Sequence, residues 1–201
     1  MSLSDRGPQY LQIYRLVRRR ALPDEKKVSI DDGQIIGTRK DKTQFQTFNP
    51  ESSNTALIGA PYDNQSRGSA YVFVRKGNTW TQQARLFAQD GGAYDYFGQS
   101  VALKGDTALV GAVYGPGSVS SDQGAAYVFF RSGTSWNLQQ KLNANDNTAG
   151  AQFGASVALD GNTALVGAFT YGSTSPNGGA GAAFVFTRSS TLVWTQQARL
   201  T

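Results

Sequence analysis

From residue 45 onward, short runs of apolar and small residues alternate with turn residues, and no apolar stripe of helical period appears. The runs are rich in Val, Leu, Tyr, Phe and Thr, which suit a pleated, half-buried surface. Phe97–Leu103, Thr107–Ala112, Ala126–Phe129 and Trp136–Leu142 form one such set of four. Lys104-Gly105-Asp106 joins the first two, and Asp160-Gly161-Asn162 does so in the next set, as tight hairpin turns do. The first two runs carry apolar or small residues on both faces, which predicts inner strands covered on both sides. The fourth alternates: Trp136, Leu138 and Leu142 are expected on one face, and Asn137, Gln139 and Lys141 on the other. That pattern predicts an outer edge strand, apolar inward, with polar and basic residues discouraging edge pairing.

The set recurs. Phe97-Gly98-Gln99-Ser100-Val101-Ala102-Leu103 returns 56 residues later as Phe153-Gly154-Ala155-Ser156-Val157-Ala158-Leu159. Thr107–Ala112 returns at the same offset of 56 as Thr163–Ala168, with an earlier copy at Thr55–Ala60. Ala70-Tyr71-Val72-Phe73, Ala126-Tyr127-Val128-Phe129 and Ala183-Phe184-Val185-Phe186 follow, and Trp80, Trp136 and Trp194 precede the pairs Gln82-Gln83, Gln139-Gln140 and Gln196-Gln197. Four strands in a unit of about 56 residues describe a blade of a β-propeller. The expected fold is therefore all-β: a partial β-propeller of four-stranded antiparallel blades, about three and a half repeats. Residues 45–90, 91–146 and 147–201 are the expected blades, and 1–44 a degraded half-blade with irregular linker. Phe45 lies 14 residues before Gly59, as Phe97 lies 14 before Gly111, but Gln46 replaces the glycine and Pro50 interrupts the inner strand. Further back, Tyr10–Arg15 is read as a third strand and Lys27–Ile30 as a fourth, with Asp31-Asp32-Gly33 matching the link Gln89-Asp90-Gly91.

Phe97-Gly98, Phe153-Gly154 and Gly59-Ala60-Pro61 resemble the two halves of the FG-GAP repeat, which builds the propeller of integrin α subunits and of many bacterial surface or secreted proteins. The resemblance covers about residues 45–201 well and 7–44 poorly. It implies a ring of seven units, which at this length needs about 390 residues; the chain is accordingly expected to be a piece of a longer protein, or to self-associate to complete a ring. It also implies an extracellular or cell-envelope location, and a bacterial source is suggested by the Gly-Asp-Thr-Ala-Leu-Val-Gly-Ala run. The family's calcium loops lie between the first two strands. Here those positions, Lys104-Gly105-Asp106, Asp160-Gly161-Asn162 and Glu51–Asn54, hold at most one carboxylate each, so no metal is expected in them.

Composition narrows the chemistry. The chain has no cysteine and no histidine, which excludes thiolate sites, a Ser-His-Asp triad and a His-ligated zinc. No cofactor and no enzymatic activity is expected. Asp90, Asp95 and Asp146 are read as turn-capping carboxylates rather than ion ligands. Residues 1–48 carry ten Lys/Arg and six Asp/Glu, and residues 49–201 nine and eight, so most of the net +5 belongs to the N-terminal quarter. Its cluster Arg15, Arg18, Arg19, Arg20, Lys26 and Lys27 has no interleaved aromatic platform, and no nucleic acid partner is expected. No apolar run is long enough for a membrane-spanning helix, and the first residues show no signal-peptide pattern.

Function in such folds sits on loops at one end. Links from strand two to three, and from strand four to the next unit, emerge together, and here they are long and rich in Tyr, Asp, Asn, Ser and Gly, a composition suited to adaptable recognition. Tyr62, Asp63, Arg67, Tyr94, Asp95, Tyr96, Tyr114, Asp122 and Tyr171 are the candidate ligand-binding residues. The expected function is a binding or adhesion module facing a protein or glycan. An accessory, substrate-positioning part of a secreted hydrolase and a structural relic without ligand remain alternatives.

Overall fold

The computed structural model describes residues 54–115, 123–145, 148–172 and 179–201, together with the backbone of strands β1 (Val28–Asp31), β2 (Gln34–Gly37) and β3 (Phe45–Phe48). The other strands are β4 (Thr55–Ala60), β5 (Ser69–Lys76), β6 (Thr79–Leu86), β7 (Phe97–Lys104), β8 (Thr107–Ala112), β9 (Ala125–Ser132), β10 (Ser135–Leu142), β11 (Phe153–Asp160), β12 (Thr163–Ala168), β13 (Ala182–Arg188) and β14 (Trp194–Leu200). They form three four-stranded antiparallel sheets, each with its strands in sequence order, and one two-stranded sheet. We call β3–β6, β7–β10 and β11–β14 the first, second and third sheets. The chain is all-β, built of antiparallel sheets consistent with propeller blades.

Local chemistry explains the turns. Lys104 pairs with Thr107 and Asp160 with Thr163, leaving two-residue loops that begin with Gly105 and Gly161 at φ 57° and 56°. A left-handed backbone there costs glycine nothing. These hairpins, and that joining β5 to β6, lie at one end of the sheets, the hairpin end. The longer links from β4 to β5 and from β6 to β7 lie at the other, the loop end.

Two apolar cores lie between sheets. Leu57, Val72 and Leu86 of the first sheet meet Phe97, Val101, Val110, Tyr127 and Phe129 of the second. Leu109, Val128 and Leu142 of the second meet Phe153, Val166, Phe184 and Trp194 of the third. Both faces of β7 and β8 are thus covered, as inner strands were expected to be. The Phe97 and Phe153 rings are buried, and each packs edge-on to the rings of its own third strand, Phe97 with its centroid 6.1 Å from Phe129 and Phe153 with its centroid 5.3 Å from Phe184.

The sheets also touch backbone to backbone. Gly154 has φ 89°, and a Cβ there would sit 2.2 Å from the Ala125 carbonyl oxygen. A Cβ on Gly111 would sit 2.0 Å from the Gly154 carbonyl oxygen, which accepts a 2.7 Å hydrogen bond from Ser100 Oγ. Neither distance admits any side chain. The Phe-Gly pair of one sheet and the Gly-Ala pair of the sheet before it are therefore two halves of one joint.

Several expectations are corrected. A bulge at Gln139 leaves Leu138 opposite Phe129 and Gln140 opposite Val128. The extra residue reverses the alternation, so Leu142 enters the core shared with the third sheet while Trp136 packs toward the first. Leu138 is exposed rather than inward. Phe45 pairs with Ile58, whereas Phe97 pairs with Ala112 and Phe153 with Ala168; at Phe45 the first inner strand is therefore two residues out of the register the repeat predicts, and at Phe48, opposite Ala56, three. It also stops at Phe48, before Pro50, which lacks the N–H a ladder needs. Asp31, expected to open an inter-sheet link, instead pairs with Gln34 in the β1–β2 sheet, and Asp32 and Gly33 lie outside the described residues. The strand expected at Tyr10–Arg15 lies outside the described residues.

Candidate functional site

At the loop end, the link from β4 to β5 turns sharply, with Asn64, Gln65 and Ser66 at φ 50°, 59° and 61°. Its carbonyls then receive the link that leads into β7. The Tyr94, Tyr96 and Phe97 amides donate to the Gln65, Ser66 and Arg67 carbonyls at 3.3, 2.9 and 3.0 Å. On the other side the Tyr114 amide donates to the Asp95 carbonyl at 3.3 Å. Three links are thereby zipped into one surface over the joint between the first and second sheets.

That surface carries an aromatic row. Tyr96 lies edge-on between Tyr62 and Tyr114, with centroids 5.4 and 5.5 Å away. Tyr94 stands beside them in sequence, 63% exposed, and Tyr62 is exposed as well. Arg67 is exposed, and its guanidinium donates to the Gly91 carbonyl at 2.5 Å. Edge-to-face contacts and backbone zippering hold the rings.

The candidate carboxylates serve this scaffold. Asp95 is 4% exposed and accepts the Gly92 amide at 2.6 Å, pointing into the junction rather than to solvent. Burial pushes its pKa above the usual carboxylate range. Asp63 accepts from Tyr71 Oη at 2.7 Å and Arg85 at 3.1 Å. Burial works to raise its pKa, but the Tyr71 and Ser69 hydrogen bonds and the Arg85 charge outweigh that and lower it. Asp90 is held alike, by Tyr127 Oη and Lys141 Nζ, each at 2.9 Å. Its pKa is also lowered, the two partners outweighing desolvation. Tyr127 is pushed up, first by burial and then by its bond to Asp90.

Tyr171 lies apart, on the third sheet, against Phe184 and under Arg199, whose guanidinium also bonds its hydroxyl. The structure brings together Tyr62, Arg67, Tyr94, Asp95, Tyr96 and Tyr114, places Asp63 beside them, and leaves Tyr171 separate. Asp122 and Asp146 lie outside the described residues. A groove of about 460 Å³ runs between β10 and β14, lined by Gln140, Asn143, Asn145, Trp194 and Gln196. The Gln140 and Asn143 amides are engaged with the Trp194 and Gly124 backbone, and Gln196 accepts the Asn145 amide.

Sequence reasoning missed a ladder at the hairpin end. Arg75, Arg131 and Arg188 lie 5.6, 5.3 and 5.4 Å over the rings of Trp80, Trp136 and Trp194. Each bonds the hairpin before it, at Asn54, Asp106 or Asn162. Arg131 and Arg188 reach back a further sheet, to Thr55 Oγ1 at 3.2 Å and Thr107 Oγ1 at 3.3 Å. Trp136 Nε1 donates to Gln83 at 2.8 Å and Trp194 Nε1 to Gln139 at 3.0 Å, both acceptors lying on the preceding sheet. Both glutamines are the bulged residues of their strands. Each such bond contributes about 1 kcal/mol net, and each stacked guanidinium about 0.5–1 kcal/mol. The signal was present: an arginine recurs five or six residues before every tryptophan.

A model of the FG-GAP repeat matches residues 80–129 and again 136–186. No curated protein matches the chain. Both matched windows open on the tryptophan of an outer strand and close on the third strand of the next sheet. Each therefore carries the outer strand of one sheet, with its bulged glutamine, and the Phe-Gly strand of the next. Since the two windows span half of the sequence, and the same joint geometry recurs in both, the chain belongs to the FG-GAP repeat family.

Proposed function

We propose that the sheets are blades of a partial β-propeller, about three and a half repeats, and that the chain is a non-enzymatic binding module whose loop-end surface faces a protein partner. FG-GAP repeats are typically protein-binding modules. One observation carries the reading to a place: Tyr62, Tyr94, Tyr96 and Tyr114 are gathered with Arg67 over one joint, on links fixed by backbone hydrogen bonds. Rigid tyrosines with few rotatable bonds and an exposed guanidinium suit a protein surface, because little side-chain entropy is lost on contact. An adhesion role at a cell envelope or in the extracellular space follows from the family and is part of the proposal. Nucleic acid fits less well, because Arg75, Arg85, Arg131, Arg188 and Arg199 lie in acidic or aromatic company.

The test is a protein and glycan array screen with wild-type chain, Tyr62→Ala/Tyr94→Ala and Tyr171→Ala. Binding to a protein lost in the double variant and kept in Tyr171→Ala is expected. Binding unaffected by the double variant moves the site elsewhere, and a hit confined to glycans replaces the partner class.

A further inference from the structure

Among the described residues the two joints share three contacts, the second joint adds a fourth, and the third sheet carries the receiving half of every one. On the second sheet, Gly111 lies against the Gly154 carbonyl and Ser100 bonds that oxygen; the third-sheet counterparts are Gly167 and Ser156, and the three atoms nearest a Cβ on Gly167 all belong to Ser156 of its own sheet. Gly68 and Gly124 make parallel bridges to Phe97 and Phe153, and a Cβ on either would sit 2.0 Å from the phenylalanine carbonyl. Their counterpart Gly181 keeps the same backbone, at φ 76°, with Phe169 of its own link nearest at 3.3 Å. Gln83 and Gln139 accept an indole N–H from the next sheet; Gln197, the bulged residue of β14, turns to Thr195 instead. Thr55 and Thr107 are buried under a guanidinium from the next sheet, whereas Thr163 is exposed. Leu165 and Phe169 stand 39% and 61% exposed on the third sheet, where Leu109 and Val113 of the second are buried.

We infer that the uncovered face of the third sheet is a socket for one occupant: a further four-stranded sheet of this repeat type, whose leading strand opens Phe-Gly and which brings an arginine and a tryptophan to Thr163 and Gln197. Continuity with the two joints already formed, contact by contact, supports this inference. It does not depend on the loop-end binding proposal.

The first sheet of a second copy of this chain is a poor occupant. It offers Arg75 and Trp80, but Gln46 stands at the glycine position. At that position in the other two sheets a Cβ would lie 2.4 or 2.2 Å from a carbonyl oxygen of the preceding sheet. Its Phe45 is also opposite Ile58, two residues from the register of Phe97 and Phe153. The socket therefore discriminates among sheets of one family, accepting Phe-Gly and refusing Phe-Gln.

Because the chain has no cysteine, Leu165→Cys gives a single thiol at the centre of this face. Its labelling rate is compared in three proteins: the 201-residue chain, the chain with a copy of residues 144–200 appended after Thr201, and that extended chain with the copy's Phe-Gly changed to Phe-Gln. The appended copy is expected to slow labelling at least tenfold, and the Phe-Gln version to restore most of the rate. Native mass spectrometry and labelling of the 201-residue chain across concentration give the second readout, expected to show a monomer with a constantly reactive thiol. An extended chain whose thiol stays reactive overturns the inference, whether or not the appended sheet folds, because docking should both order that sheet and cover the thiol. Protection of the 201-residue chain by its own dimerisation overturns it too, and names a second copy as the occupant.

Discussion

Strands β8 and β12 have the same sequence, Thr-Ala-Leu-Val-Gly-Ala, and opposite circumstances. Every residue of β8 is buried, while β12 alternates between buried and exposed. Their preceding strands, Phe-Gly-Gln-Ser-Val-Ala-Leu-Lys and Phe-Gly-Ala-Ser-Val-Ala-Leu-Asp, differ in the same way. Strand formation, register and hairpin are alike in both. Local sequence thus fixes the sheet, and the neighbouring sheet alone determines how much each side chain stabilises it. This is the behaviour of a repeat array whose stability is a sum of unit and nearest-neighbour terms.

Paired substitutions can break that comparison. The largest difference is expected at glycine. Gly111→Ala drives a methyl into the Gly154 carbonyl and should cost about 3 kcal/mol or more, whereas Gly167→Ala meets the movable Ser156 hydroxyl first and should stay within about 1 kcal/mol. Urea unfolding of the two variants checks this, and equal costs would mean the joint does not bear on Gly111. Next comes leucine. Leu109→Ala empties a fully buried site and should cost about 2–5 kcal/mol, while Leu165→Ala should cost under about 1.5 kcal/mol. Calorimetric Tm values for the pair would show the gap. Gln139→Ala leaves the buried Trp194 N–H without its acceptor and should cost about 1–3 kcal/mol, against almost nothing for Gln197→Ala. Matching losses in chemical denaturation would place the tryptophan's partner elsewhere.

The smallest expected effect concerns pH. Asp90 ties a link of the first joint to Tyr127 and Lys141, and at the matching position of the third sheet Phe184 has no hydroxyl to offer. Since the pKa of Asp90 is lowered in the fold, its contribution is complete above the ordinary carboxylate range and is lost as pH falls through its folded value. Asp95 runs the other way: its raised pKa means a cost present when it is ionised, relieved as pH falls through that value. Asp90→Asn should lower Tm near neutrality and converge with wild type in acid. Asp95→Asn, which can still accept from Gly92, should raise Tm slightly near neutrality and give no gain in acid. Tm profiles from neutral to acid pH test both signs.

Much of this was legible in the residues. The Phe-Gly and Gly-Ala pairs, the Trp…Gln-Gln endings and the turn glycines predicted four strands per unit and the order in which they pair, and Pro50 predicted where β3 ends. The bulge was not legible, because Gln139-Gln140 presents amides whichever is inserted; the face of Leu142 was misassigned for that reason. Nor was the burial of Asp95, whose surroundings come from Gly92 and from the link carrying Gly115, on the far side of β8 in sequence. The loop-end tyrosines were found by composition, but that Tyr96 bridges Tyr62 and Tyr114 while Tyr171 packs on Phe184 of its own sheet depends on which links cross a joint.

The phase of the family unit has a consequence for how such genes can change length. A recombination between the codons of Trp80 and Trp136 would remove one outer strand and the three strands following it. The flanking pieces would meet with Gln139 standing where Gln83 stood and Trp194 arriving where Trp136 had been. The new seam would be composite: the Gln139–Trp194 contact arrives whole, whereas Thr55 and Gly68 of the first sheet would take the places of Thr107 and Gly124 against Arg188 and Phe153. Arrays of this kind can therefore grow or shrink by a unit to the extent that successive sheets present the same receiving residues, a condition that Thr55 and Gly68 meet and that Phe48, standing where Ser100 would, does not.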